Sequence, residues 1–256
     1  MTTDVHGRFL WYELLTRDVD RAIAFYTRVI GWGTQQLENP GMPYTMWTAG
    51  GVPLGGIMQM PPDAGDAPPH WLAYIGTRDV DDTVRRARTL GAAVYVEPRD
   101  IPDVGRFAVL ADPQGAMFAV YKPGSDPGEE RDPATGQFSW HELVTTDYQA
   151  ARRFYFDLFG WSTTEDLDMG PVGIYAMYGR HGRPYGGMFN KPADMPAPPH
   201  WLLYALVDDL DDAVRRIKDS GGQLLHGPME VPGGDRIAQG LDPQGAVFAM
   251  HEKKQT

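Results

Sequence analysis

The apolar and polar positions of this chain alternate in short runs, which are interrupted four times by a segment of helical period. Residues 9–15 and 201–207 alternate with the period of two that is typical of a strand with one buried face. In the last helical segment the apolar residues form one stripe, made of Leu210, Ala213, Val214 and Ile217. The pattern therefore predicts four amphipathic helices, each preceded by a strand.

Each predicted helix begins at an aspartate and ends at a glycine. An aspartate carboxylate accepts from the free amides of a first helical turn, and glycine suits the left-handed position after the last turn. The pairs are Asp18 and Gly31, Asp79 and Gly91, Asp147 and Gly160, and Asp209 and Gly221. Two or three strand-like runs with Gly or Asp-Pro turns follow each helix, so the predicted unit is β-α-β-β-β, present four times.

The chain is also an internal repeat with an offset of 129 or 130 residues. The repeated motifs are Trp11-Tyr12-Glu13-Leu14 with Trp140-His141-Glu142-Leu143, Pro68-Pro69-His70-Trp71 with Pro198-Pro199-His200-Trp201, and Asp112-Pro113-Gln114-Gly115-Ala116 with Asp242-Pro243-Gln244-Gly245-Ala246. The stretch between the two halves of the chain is rich in Pro, Gly, Asp and Glu, as exposed linkers are. We predict a first domain at 1–122, a linker at 123–136 and a second domain at 137–256.

Composition narrows the class of partner. The 256 residues carry a net charge of −11 without a long basic run, which argues against nucleic acid. The absence of cysteine excludes disulfides, thiolate metal sites and cysteine nucleophiles. No apolar stretch approaches the roughly 20 residues of a membrane span, and the N-terminus lacks a signal-peptide pattern. We expect a cytoplasmic protein with a small-molecule partner, and the sequence is compatible with a homodimer.

These repeats resemble the vicinal oxygen chelate superfamily, which includes glyoxalase I, extradiol dioxygenases and the bleomycin- and fosfomycin-resistance proteins. The resemblance rests on Phe25-Tyr26 with Gly31-Trp32, Phe154-Tyr155 with Gly160-Trp161, and the two Asp-Pro-Gln-Gly turns. It implies an α+β fold in which four βαβββ modules pair into two glyoxalase-like domains, each a cup-shaped mixed sheet with helices on its convex side. The tandem layout is similar to actinobacterial two-domain members labelled hydroxylase or glyoxalase-like.

The resemblance also implies positions for metal ligands, and this chain departs from them. Metal-dependent members use His, Gln or Glu on the first and last strands of paired modules. Those positions hold Trp11, Leu72 and Ala119 in the first half and Trp140, Leu202 and Ala249 in the second, with Gly55-Gly56 and Gly186-Gly187 at the remaining one. None of these side chains holds a hard cation. We therefore predict no metal and no other cofactor.

Strand alternation predicts a different polar set on the concave face. A carboxylate and an imidazole there can act as base and acid, a tyrosine can donate to a developing oxyanion, and aromatic walls can stack on a ligand. The predicted catalytic residues are Glu13, His70, Tyr74, Glu142, His200 and Tyr204. The predicted ligand-binding residues are Trp11, Trp47, Leu72, Tyr121, Trp140, Tyr178, Leu202 and His251.

Several of these residue types also have structural interpretations. Glu13 and Glu142 can accept hydrogen bonds at a strand end, and His70 and His200 can fix the start of a strand. Arg106 and Arg236 can hold a ligand anion, but a structural ion pair is the favoured interpretation. Trp32, Trp71, Trp161 and Trp201 are expected to pack in the core.

The sequence leaves three functions open. The first is a metal-independent enzyme that acts by acid–base chemistry on a small carbonyl or aromatic compound, in metabolite tailoring or detoxification. The second is a non-catalytic sequestering protein of the bleomycin-resistance type. The third is a metal-dependent glyoxalase or dioxygenase with a shifted site at Glu142, His200 and His251. Because Tyr121 stands where the second half has His251, the two pockets are expected to differ, and the richer second half is favoured for catalysis.

Overall fold

In a computed structural model, the chain is described at residues 3–37, 44–61 and 64–254. The four predicted modules are present. The first module comprises β1 (Phe9–Thr16), α1 (Val19–Val29), β2 (Gly33–Leu37), β3 (Tyr44–Ala49) and β4 (Val52–Gln59). The second comprises β5 (His70–Gly76), α2 (Val80–Thr89), β6 (Ala93–Ile101), β7 (Gly105–Ala111) and β8 (Met117–Pro123).

The second half repeats this order, and a short 3-10 helix, Gly170–Val172, lies between its second and third strands. The third module comprises β9 (Phe138–Thr145), α3 (Tyr148–Phe159), β10 (Ser162–Asp168), β11 (Ile174–Arg180) and β12 (Arg183–Asn190). The fourth comprises β13 (His200–Leu206), α4 (Leu210–Asp219), β14 (Gln223–Glu230), β15 (Arg236–Leu241) and β16 (Val247–Glu252). The four predicted helix starts are confirmed, because each aspartate side chain accepts from a first-turn amide.

The strands form two eight-stranded mixed sheets, which confirms the α+β class. Their orders are β2-β3-β4-β1-β5-β8-β7-β6 and β10-β11-β12-β9-β13-β16-β15-β14. Within each module the first and last strands are parallel neighbours, as in β1 with β4 and β13 with β16, whereas the hairpins between are antiparallel. Each sheet therefore takes its strands from one half of the chain, and the domain boundaries at 122 and 137 stay a prediction.

The described residues pack as two compact units, and each unit draws on both halves. One unit consists of residues 11–71, 132–140 and 202–256, which include the first and fourth modules. The other consists of residues 1–10, 72–131 and 141–201, which include the second and third modules. Separate, self-contained halves therefore do not describe the packing within either unit.

In the unit of the first and fourth modules, a chain of buried hydrogen bonds joins a helix to a turn. Trp71 Nε1 donates to Tyr26 Oη at 3.0 Å, and Tyr26 Oη donates to Asp242 Oδ2 at 3.3 Å. The other oxygen of Asp242 accepts from the amides of Gln244 and Ala246. The Asp-Pro-Gln-Gly turn is thus fixed against α1, and burial raises the pKa of both Asp242 and Tyr26.

The unit of the second and third modules contains the equivalent chain. Trp201 Nε1 donates to Tyr155 Oη at 3.1 Å, which donates to Asp112 Oδ2 at 3.1 Å. Asp112 Oδ1 accepts from the amides of the turn that follows it.

The expected core positions of Trp32, Trp71, Trp161 and Trp201 are confirmed, since all four are buried. Arg106 and Arg236 form the expected ion pairs, with Asp81 and Asp211.

Residues 124–131 of the predicted linker are exposed but hydrogen-bonded within their unit. Arg8 Nη1 donates to the carbonyl oxygen of Gly128 at 2.9 Å, and Tyr185 Oη donates to Glu130 Oε2 at 2.9 Å.

Among the described residues, no helix combines the length and the apolar character that a membrane span needs.

We predict that Tyr26→Phe lowers the free energy of unfolding by about 1–3 kcal/mol, because it leaves Asp242 Oδ2 and Trp71 Nε1 buried without this partner. Urea denaturation measures the loss. The matched control is Tyr95→Phe, since Tyr95 is 67% exposed and its change is expected to stay within about 0.5 kcal/mol. Equal values for the two variants would contradict a stabilising role of the buried chain.

Candidate functional site

Glu13 lies in the middle of β1, two residues after Trp11, which stands where the resemblance implies a metal ligand. Its side chain is only 4% exposed. Tyr44 Oη, at the start of β3, lies 3.1 Å from Glu13 Oε1 and 2.9 Å from Oε2 and donates to this carboxylate. Trp11 Nε1 donates to the same hydroxyl at 3.0 Å. The tryptophan thus holds a tyrosine that in turn holds the glutamate.

A glycine makes this arrangement sterically feasible. Gly56 of β4 is the ladder partner of Glu13. A Cβ atom on Gly56 would lie 1.8 Å from Tyr44 Oη and 2.8 Å from Glu13 Oε1, far inside van der Waals contact. The glycine at the family's vacated ligand position therefore makes room for the ring of Tyr44.

Burial dominates the electrostatics of Glu13. Removal from water disfavours the charged carboxylate and raises the pKa of Glu13 to about 8, although the hydrogen bond from Tyr44 opposes this shift. Near neutral pH both the protonated and the ionised forms are therefore populated. A carboxyl group in that condition can either accept or deliver a proton.

The second half repeats the pair. Glu142 is buried, and Tyr175 Oη donates to Glu142 Oε2 at 2.9 Å. A Cβ atom on Gly187 would lie 2.1 Å from the Tyr175 ring. We call Glu13 with Tyr44 and Glu142 with Tyr175 the Glu–Tyr pairs. The two tyrosines were not predicted, although a signal exists: each stands twelve residues before its glycine, at 56 − 44 and 187 − 175.

The two predicted histidines are held at the start of their strands. His70 Nδ1 lies 2.9 Å from the carbonyl oxygen of Pro68, and His200 Nδ1 lies 2.8 Å from that of Pro198. A carbonyl only accepts, so Nδ1 carries the hydrogen in both rings. Burial lowers the pKa of His200, which favours its neutral form. The anchoring role considered for these residues is therefore present in both halves.

The predicted aromatic residues of the second and fourth modules have separate partners. Tyr74 is the ladder partner of Ala119, and the Tyr121 hydroxyl donates to the carbonyl oxygen of Val104 at 2.9 Å. Tyr204 is 1% exposed, and its hydroxyl accepts from Gln239 Nε2 at 2.7 Å. Leu72 is likewise buried. Leu202, Tyr204 and Ala249 form a buried cluster against which Trp140 packs.

Trp47 and Tyr178 are corrections to the predicted ligand-binding set. Both are fully buried. Trp47 packs among Tyr26, Trp32 and Trp71, and Tyr178 stacks on Trp161. Trp47 is paired with Gly55, whereas Glu13 is paired with the next residue of β4, so alternation puts Trp47 on the opposite face of the sheet.

His251 is also a correction. Its Nδ1 lies 2.8 Å from Ser139 Oγ, and its Nε2 lies 2.8 Å from Asp235 Oδ2. Asp235 holds the hydrogen on Nε2, and the lone pair on Nδ1 faces the hydroxyl of Ser139, so neither ring nitrogen is open to a metal or to direct contact with a bound ligand. The shifted metal site therefore lacks one of its three donors, and the preference for the second half loses its basis.

The residues present do not fit the family's metal. The ligand positions carry indole, isobutyl and methyl side chains, and the glycine position is filled by a tyrosine ring that is hydrogen-bonded to the nearest carboxylate. Over residues 3–37, 44–61 and 64–254, no three His, Asp or Glu side chains are grouped so that they could hold an ion.

Comparisons with known proteins agree with the fold. The profile of the Glyoxalase/Bleomycin resistance protein/Dioxygenase superfamily matches residues 8–120 and 137–250. The chain is 32% identical over 269 residues to the anthracycline biosynthesis protein DauV of Streptomyces sp., covering all of this chain and 96% of DauV. It is 33% identical over 244 residues to the putative glyoxylase CFP32 of Mycobacterium tuberculosis, covering 94% and 92%.

Solved structures share the fold at low identity. The Mn(II)-bound glyoxalase of Novosphingobium aromaticivorans superposes with a TM-score of 0.64 at 20% identity, covering all of this chain and 84% of that one. The 2,3-dioxygenase LapB of Pseudomonas sp. KL28 superposes with a TM-score of 0.67 at 13% identity, covering 98% and 94%.

We predict a pH-dependent stability that belongs to Glu13. Its pKa is raised in the folded chain, so the folded state binds this proton more tightly than the unfolded state does, and stability is lost as pH rises. The contribution falls by up to about 1.4 kcal/mol per pH unit between pH 4.5 and 8. Glu13→Gln should abolish this loss, so the variant gains stability relative to the wild type between urea titrations at pH 5 and pH 8.

The control is Glu129→Gln, which neutralises an exposed glutamate and should follow the wild type at both pH values. A Glu13→Gln variant whose stability parallels the wild type across this range would mean that Glu13 keeps an ordinary pKa.

Proposed function

The chain belongs to the Glyoxalase/Bleomycin resistance protein/Dioxygenase superfamily, and from this premise we propose that it is a metal-independent enzyme acting on a small carbonyl or aromatic compound by acid–base chemistry. The observation that carries the proposal is the buried Glu13, whose carboxyl group accepts from Tyr44 and has a pKa of about 8. A general base or acid is most effective when its pKa lies near the working pH.

The pair can move a proton without help from another group. In its ionised form Glu13 removes a proton from a carbon beside the substrate carbonyl. Tyr44 donates to the carboxylate before this step, and once Glu13 is protonated the tyrosine hydroxyl can donate instead to the developing enolate oxygen. Trp11 continues to donate to the tyrosine oxygen and keeps the ring in place. Glu142 and Tyr175 offer the same chemistry in the second half.

The names of the relatives favour a carbonyl substrate. DauV is named for anthracycline biosynthesis, and CFP32 is named a putative glyoxylase. Anthracyclines and glyoxals are both carbonyl compounds. We therefore propose tailoring of an aromatic ketone or disposal of a small reactive carbonyl, in the cytoplasm.

The direct measurement is exchange of a substrate C–H for deuterium in D₂O, followed by NMR, with 1,3-diketones, hydroxyketones and an anthracyclinone as probes. We expect Glu13→Gln to slow the exchange on the order of 10²-fold or more, because the amide neither accepts nor delivers the proton. Glu142→Gln is measured in parallel to assign each half, with Glu129→Gln as the exposed control. Probes that quench tryptophan fluorescence but never exchange would favour a sequestering protein instead.

Exhaustive dialysis against chelators should leave both the exchange rate and the melting temperature unchanged. The reason is the chemistry of the donor set, which offers no group of hard or imidazole ligands among the described residues. The comparison is the dialysed chain with and without added Mn²⁺ or Zn²⁺. Loss of exchange on dialysis with recovery on adding either ion would instead support the metal-dependent alternative.

A further inference from the structure

The side chains of Asp235, His251 and Ser139 form one hydrogen-bonded line in the unit of the first and fourth modules. Asp235 Oδ2 lies 2.8 Å from His251 Nε2, and His251 Nδ1 lies 2.8 Å from Ser139 Oγ. The His251 side chain is 12% exposed and that of Asp235 is 36% exposed, while Ser139 is half-buried. The line thus runs from solvent towards the start of β9.

The carboxylate fixes the hydrogens of this line. Because Asp235 only accepts, the imidazole hydrogen lies on Nε2, and the lone pair of Nδ1 faces the serine hydroxyl. The Ser139 hydroxyl can also donate to the carbonyl oxygen of Tyr204 at 3.3 Å, so its one hydrogen has two acceptors, of which the imidazole at 2.8 Å is the nearer. A hydroxyl, a base within hydrogen-bond reach and a third group that orients the base are the elements of an activated nucleophile.

Asp235 is itself held in place. It ends the turn between β14 and β15, where the amide of Val231 donates to the carbonyl oxygen of Asp235, and its second carboxylate oxygen accepts from the amide of Lys254. Burial raises the pKa of Asp235, but the hydrogen bonds from Lys254 and His251 outweigh it and leave the pKa below its ordinary value. The group that orients the imidazole is therefore ionised at neutral pH.

The fold does not require these three residues. At the repeat offsets of 129 and 130, the first half has Leu10 for Ser139, Gly105 for Asp235 and Tyr121 for His251. The equivalent strands form there without them, since β7 and β8 pair along their length. All three positions differ together, which distinguishes the line from the repeated Glu–Tyr pairs.

We propose that Ser139 is a nucleophile activated by His251 and Asp235, and that this second site takes a carboxylic ester. Ser139 Oγ bonds to the acyl carbon while its proton passes to His251 Nδ1, and Asp235 stabilises the imidazolium. The proton then leaves with the alcohol as the ester C–O bond breaks. Water attacks the acyl-serine, gives one proton to His251, and releases the acid as Ser139 recovers its hydrogen. No oxidant or metal is needed.

The first experiment treats the full chain with a fluorophosphonate probe and measures labelling by intact mass. We expect one label per chain in the wild type, none in Ser139→Ala, and a rate at least about 10²-fold lower in His251→Asn. Ser162→Ala, which removes an exposed serine of β10, is the control and should label as the wild type does. Circular dichroism and melting curves establish that each variant is folded.

The second experiment uses the absence of cysteine from the chain. In Ser139→Cys the new thiol is unique, so its alkylation by iodoacetamide reports this site alone. We expect alkylation at least about 10-fold faster in S139C than in S139C combined with His251→Asn, because the imidazole removes the thiol proton. Equal rates would overturn the proposal, and so would a wild type that takes no label or labelling that persists in Ser139→Ala.

Discussion

The buried carboxylate of Asp242 accepts from two backbone amides and from the hydroxyl of Tyr26, and much of the packing in its unit depends on that arrangement. A carboxylate with 3% exposure would be costly without these donors. The turn that contains Asp242 belongs to the fourth module and the helix that carries Tyr26 belongs to the first. Asp112 and Tyr155 have the same relation between the second and third modules. The duplicated sequence therefore stabilises each compact unit by joining parts from both halves of the chain.

The same physical rule explains the Glu–Tyr pairs. Glu13 is nearly as buried as Asp242, but its described hydrogen bonds come from one tyrosine hydroxyl rather than from three donors. Burial raises the pKa of both carboxyl groups, and for Glu13, whose charged form has fewer donors, the pKa reaches about 8. The two buried carboxyl groups of this unit therefore differ in the number of hydrogen-bond donors around them. Asp242, with three donors, is suited to a structural role, and Glu13, with one, is suited to proton transfer.

The sequence predicted most of the fold because the signals involved are local. An aspartate before a helical stripe and a glycine after it fix the ends of each helix within a few residues. The Glu–Tyr pairs could not be predicted this way, since they depend on which residue of β4 lies beside Glu13. Trp47 was misplaced for the same reason: its face is set by pairing with Gly55, which hydrophobic alternation along β3 alone does not specify. Ser139 and His251 are 112 residues apart and meet only in the folded chain.

Comparing the two halves of the repeat distinguishes residues that the fold requires from residues that it only tolerates. The Asp–Tyr–Trp chains and the Glu–Tyr pairs occur twice, at equivalent positions with equivalent partners. Both halves therefore have the same hydrogen bonds at these positions. The line of Asp235, His251 and Ser139 occurs once, and a leucine, a glycine and a tyrosine replace it in a half that folds in the same way. Replacing apolar or small residues by three polar ones adds desolvation cost without completing the sheet. A partly buried, fully hydrogen-bonded set of that kind is therefore better explained by chemistry at Ser139 than by stability.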